Sequence, residues 1–154
     1  MKFIAAILAA LSLAIAVSAL PQDIAAPDAP AAPASRMTEF ADFVRVLQDA
    51  VEAEDRDAVI DMVHLPLRVN GPNGTYHIRN REYLEQHFEQ VFDERTRAAV
   101  LAQDPDEIFA RDMGGMIGDG EVWFDYRCEE TDCAGTGKVG VYVVNHIVED
   151  EATE

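Results

Sequence analysis

Positive charge is scarce in this chain. Its 154 residues hold 12 Lys and Arg against 29 Asp and Glu, for a formal net charge of −17. Gripping nucleic acid takes a basic footprint that displaces counterions from phosphates, so nucleic acid is not expected as a partner. The same excess of acid opposes docking on anionic lipid, while it suits solubility, a small-molecule ligand or a basic protein partner. Nucleophiles are scarce too. Beyond the first nineteen residues the only serine is Ser35, and the chain has two cysteines, Cys128 and Cys133. A serine or cysteine hydrolase therefore has little to work with. The phosphate-cradling pattern G-x-x-x-x-G-K-[ST] is absent. The four histidines, His64, His77, His87 and His146, show neither H-x-H nor H-E-x-x-H spacing, so a zinc or metalloprotease site has no support. No metal and no cofactor are expected. After the first twenty residues no apolar run approaches the length of a membrane span.

What is present at the N-terminus is a targeting pattern. Lys2 precedes an apolar stretch from Phe3 to Val17, broken only by Ser12, and Val17-Ser18-Ala19 offers small residues for cleavage. This is the anatomy of a secretory signal peptide over residues 1–19, with an uncleaved anchor as the alternative. Residues 20–36 (LPQDIAAPDAPAAPASR) are rich in proline and alanine with no repeating apolar face, and read as a semi-extended linker. Signal and linker together look bacterial and predict a periplasmic or secreted protein. In an oxidising compartment Cys128 and Cys133 read as a disulfide closing the short loop CEETDC, a local staple contributing about 2 kcal/mol.

The domain is expected over residues 37–148, followed by an acidic tail over 149–154. Phe40, Phe43, Val44, Leu47 and Val51 recur at helical spacing and predict an amphipathic helix. Asp55 predicts the cap of a second helix running through Val63, with Val59, Ile60 and Val63 inward, and Pro66 forbids its continuation. LPLRVN and TYHIR read as strands joined by Gly71-Pro72-Asn73-Gly74. Asn80 predicts the cap of a third helix lined by Leu84, Phe88 and Val91, and Arg95–Ala102 a further helical turn or two. From Glu107 the period changes to two. EIFARDM reads as a strand and Gly114–Gly120 as a loop or bulged corner. VWFDYRC reads as a strand with Val122, Phe124, Tyr126 and Cys128 on one face. In VGVYVVNHI, Val139, Val141 and Val143 alternate against Tyr142, Val144 and His146. Asp119-Gly120 reads as a hairpin turn and not as a calcium loop, because the alternating ligands and the glutamate at position twelve are missing. The expected class is α+β: a curved antiparallel sheet with three helices from the N-terminal half packed on its concave face.

This arrangement resembles the nuclear-transport-factor-2-like superfamily, the cone-shaped fold that steroid isomerases and polyketide cyclases also use. The resemblance spans about Met37 to Val148. It rests on element order and on Phe40 and Phe43, LPLRVN, IRNREYLEQHF and MIGDGEVWF, the last of these similar to exported members of the superfamily. It implies a cavity between sheet and helices that serves as active site, ligand pocket or core, and dimers formed through the sheet. No catalytic motif carries over, so no catalytic residue is assigned.

The candidate pocket residues are His64, Arg68, Asp112 and Tyr126. Steroid-isomerase-type chemistry needs an aspartate in an apolar pocket and an oxyanion holder, types that Asp112 and Tyr126 supply. His64, before Leu65-Pro66, reads as a cap on the second helix, with a general base as its functional alternative. If Val122, Phe124, Tyr126, Val139, Val141 and Val143 face the helices, then Trp123, Tyr142 and Val144 point outward and form a candidate interface. The functional expectation is an exported non-catalytic domain that binds a small apolar ligand or a protein partner, with a homodimer as one form of the latter. An acid–base isomerase or cyclase and an acidic inhibitor of a basic protein are its alternatives.

Overall fold

The structure, a computed structural model, describes residues 34–127 and 137–146. Helix α1 (Ala34–Glu52) buries Phe40, Phe43, Val44, Leu47 and Val51, the stripe its spacing predicts, and begins slightly before Met37. It ends where Glu54 adopts a left-handed φ of 54°. The Asp55 amide donates to Ala50 O at 2.9 Å and the Glu54 amide to Val51 O at 3.1 Å, the paired bonds of a Schellman termination. Asp55 then caps α2 (Arg56–Asp61), accepting from the Ala58 amide at 3.0 Å. The expected run of this helix through Val63 is not found. The chain turns at Met62, and Val63 opens strand β1 (Val63–Gly71).

Pro72-Asn73 joins β1 to β2 (Gly74–Ile78) in a tight hairpin. Asn80 caps α3 (Arg81–Gln86) by accepting from the Tyr83 amide at 2.8 Å. The expected third helix is broken at His87, whose ring stacks on Tyr83 and hydrogen-bonds the Tyr83 carbonyl, so α4 (Phe88–Val91) follows as a separate turn. Leu84, Phe88 and Val91 are all buried as their spacing predicts. Asp93 caps α5 (Glu94–Ala102).

Four more strands follow among the described residues: β3 (Phe109–Arg111), β4 (Gly114–Ile117), β5 (Val122–Arg127) and β6 (Lys138–Asn145). The six strands form one open sheet in the order β2-β1-β6-β5-β4-β3. The α+β class holds, but the sheet is mixed: β1 and β6 pair parallel, and every other neighbour is antiparallel. Gly114–Ile117, expected as a loop, is a paired strand. The expected strand from Glu107 shrinks to three residues, with Asp112-Met113 as the turn between them. The Asp119-Gly120 turn stands where expected, connecting β4 to β5.

β6 departs from simple alternation. Trp123 pairs with Val143 but Phe124 pairs with Val141, so Tyr142 is an extra residue in the ladder. This bulge reverses the phase of the strand. Val144, expected outward, joins Val141 in the core, and Val143, expected to face the helices, turns outward. Between α1 and the sheet the space is filled by aromatic rings. Phe40 and Phe43 each lie 5.0 Å from Phe124 between centroids, and burial of a ring this size contributes roughly 1.5–3 kcal/mol.

Candidate functional site

The predicted pocket residues do not converge. Arg68 is exposed on β1 and donates from Nε to Asn70 Oδ1 at 3.0 Å. Asp112 is exposed in the β3–β4 turn. His64 lies on β1, so its expected role as a helix cap gives way to one within the sheet. Its Nε2 faces Lys138 O at 2.9 Å and Asp125 O at 3.2 Å. Both partners are carbonyl oxygens, so Nε2 carries the hydrogen and donates to them. Burial pushes the imidazole below its ordinary value, with the Arg127 and Lys138 charges adding to the effect. Gly140 makes room for the ring, since a Cβ there would sit 2.7 Å from His64 Cε1.

Tyr126 packs beside Phe40 and donates its hydroxyl to Glu39 Oε2 at 2.5 Å. Burial first, and the Glu39 carboxylate second, push the phenol up to about 12. Arg36 lies over the Phe40 and Tyr126 rings and pairs with Asp125 at 2.6 Å. This group ties the start of α1 to the end of β5.

Of the predicted interface residues, Trp123 and Tyr142 are partly exposed, and Tyr142 donates to Met113 O at 2.5 Å. Val144 is fully buried because of the bulge and cannot take part in an interface. Cys128 and Cys133 lie outside the described residues.

A cleft that single positions in the sequence do not announce lies among the helices. It has a volume of about 600 Å³ and opens between the end of α1, α2, α4 and α5. Its apolar wall comes from Ala50, Val51, Val59, Phe88 and Leu101. Its mouth is charged. Glu89 is held by Arg56 on one oxygen and Arg97 on the other, and Arg97 also donates to Phe92 O at 2.9 Å. The Arg97 hydrogen bond, ahead of the charge of Arg56, holds the Glu89 carboxyl below its usual range. Arg56 in turn lies over the Phe88 ring, 5.7 Å from its centroid. Glu52 and Glu54 complete the rim.

A second depression of about 520 Å³ lies between α5 and the β4–β5 turn. It contains Glu121, which is only 4 % exposed. The Glu121 Oε2 accepts from the Asp119 amide at 2.7 Å, and Arg95 approaches Oε1 at 3.6 Å. Glu121 therefore stabilises the turn that the sequence predicts, and its burial had no signal in the pattern. Among the described residues no group of three His, Cys, Asp or Glu side chains could hold a metal ion. Nor is any helix among them long and apolar enough to cross a membrane. No family model matches this chain, and no curated protein or solved structure matches it either.

Proposed function

We propose that this chain is a non-catalytic binding domain whose helical cleft takes a small apolar ligand. The observation that carries the reading is the cleft itself. Its volume falls within the roughly 300–1,000 Å³ of small-molecule sites, and an apolar wall lies behind a charged rim. Leu101 offers contact surface, while Arg56, Glu89 and Arg97 hold one another at the mouth.

An acid–base enzyme would draw on His64, Asp112 and Tyr126. Asp112 is exposed, and His64 and Tyr126 already hold protein partners. The binding reading has the better support. The order of helices, hairpin and meander supports the nuclear-transport-factor-2-like resemblance, and the signal-type N-terminus supports an exported location.

Leu101→Asp tests the proposal. Leu101 is 48 % exposed, so the fold tolerates the change, yet it places a carboxylate in the apolar wall. The neutral apolar dye N-phenylnaphthylamine should bind the wild type and bind the variant about tenfold more weakly, the ratio expected from a desolvated polar group. Equal binding by both proteins, or none by either, contradicts the proposal.

A further inference from the structure

Cross-strand partners share a face of a sheet, so the register assigns every strand side chain to the helix side or the outer side. One row of partners runs Phe109, Met116, Trp123, Val143 and Arg68, crossing from β3 through β4, β5 and β6 to β1. The Val144 and Phe124 rows face the core, so this row faces away from the helices. Four of its five members are apolar. Phe109 is 44 % exposed, and Met113 in the adjoining turn is 65 % exposed.

The charges on this face run against the chain as a whole. The strands carry Arg68, Arg111, Arg127 and Lys138, all exposed, and a single carboxylate, Asp125, which Arg36 already holds. Arg68, Arg111 and Lys138 alternate with core-facing neighbours and therefore point outward, as does Arg127, the partner of Lys138. Ion pairing divides the same way. Arg36, Arg45, Arg56, Arg81, Arg95 and Arg97, which start from the helices, each pair with a carboxylate. Among the described residues Arg68, Arg111, Arg127 and Lys138 pair with none, and neither does Arg79 in the connection from β2 to α3. Arg127 and Lys138 donate to carbonyl oxygens, those of Leu65 and Asp61, so among the described residues these four cations stand beside the apolar row without a carboxylate.

We infer that the outer face of the sheet is a docking surface for a protein segment that presents carboxylates beside apolar side chains. The row supplies apolar area, with Trp123 at its centre as the type of aromatic anchor that dominates interfaces. The four cations supply complementarity and steering for an acidic partner. This is the opposite sign from the basic partner that the net charge alone suggests. It does not depend on the cleft, which lies among the helices.

Trp123 is the chain's one tryptophan and reports on this face. The test titrates the full chain with a short soluble peptide of alternating Glu and Val, beside a Lys and Val peptide and phosphatidylglycerol vesicles. The expected result is a blue shift of Trp123 emission with the Glu peptide alone, weakened by salt. In the variant carrying Arg68→Glu and Arg111→Glu, affinity for the Glu peptide falls about tenfold and the Lys peptide gains. No shift with the Glu peptide, equal shifts with both peptides, or a shift with vesicles alone overturns the inference. So does emission that is already blue and unmoved by peptide, the sign that the chain's own segments cover the face. A shift that follows protein concentration, the sign of a second copy, overturns it as well.

Discussion

Phe124 lies directly over Gly115, its partner across the β4–β5 ladder. A Cβ on Gly115 would fall 2.3 Å from Phe124 Cζ. The missing side chain lets the ring lie down on the sheet, where Phe40 and Phe43 of α1 close over it. The glycines of this stretch are thus a packing requirement that holds helix and sheet together. Gly115→Ala should cost about 1–3 kcal/mol, the usual range for forcing extra volume into a filled core. Chemical denaturation measures it. A change within about 0.5 kcal/mol, as at ordinary surface sites, contradicts this account of Phe124.

Glu54 is the opposite case, a side chain where glycine fits better. Its φ of 54° at the end of α1 costs an ordinary residue roughly 1–2 kcal/mol. Glycine removes that cost and adds some entropy to the unfolded chain. Glu54→Gly should therefore raise stability by about 0.5–1 kcal/mol, read as a later denaturation midpoint with an unchanged slope. An earlier midpoint would mean that the Glu54 side chain makes a stabilising contact of its own.

His64 makes stability depend on pH below neutrality. Burial lowers its folded-state value below 6.5, so the unfolded chain takes up the proton first as pH falls. The stability that the neutral ring contributes is present above pH 6.5 and is lost as pH drops through the folded-state value. Protonation also sets a cation beside Arg127 and Lys138. His64→Gln keeps an N–H donor and cannot titrate, so its acid-side decline should be shallower. Matching pH profiles for the two proteins would refute this.

Tyr126 acts at the other end of the scale. Its phenol titrates from about 10 when unfolded and about 12 when folded, so its contribution is complete below pH 10 and is lost as pH rises toward 12. Glu39→Gln should lower the tyrosinate titration midpoint of Tyr126 while leaving it above 10, because burial is the larger cause. A midpoint that does not move would mean that the Glu39 carboxylate exerts no field on the hydroxyl.

Features set by a few neighbouring residues were legible in the sequence. The buried stripe of α1, the caps at Asp55 and Asn80 and the Asp119-Gly120 turn each follow from local chemistry. What escaped depends on partners distant in sequence. Gly114-Gly115 read as a loop because only Phe124, across the ladder, explains why glycine belongs in β4. The bulge at Tyr142, which sends Val144 inward, is a choice of register against β5. The parallel contact of β1 with β6 has no signature in either strand. The cleft was hidden for a similar reason. Val51, Val59 and Phe88 each show the helical spacing of core residues, and a wall and a core use the same side chains. Only the meeting of the helices leaves space between them.

Native mass spectrometry of protein purified without denaturant decides whether the helical cleft holds a ligand. A ligand in the cleft predicts a second mass species, heavier by one small molecule, that denaturation removes and that Leu101→Asp lacks. A wild-type protein that flies bare, or an added mass that Leu101→Asp retains in full, would contradict a cleft built to hold a ligand.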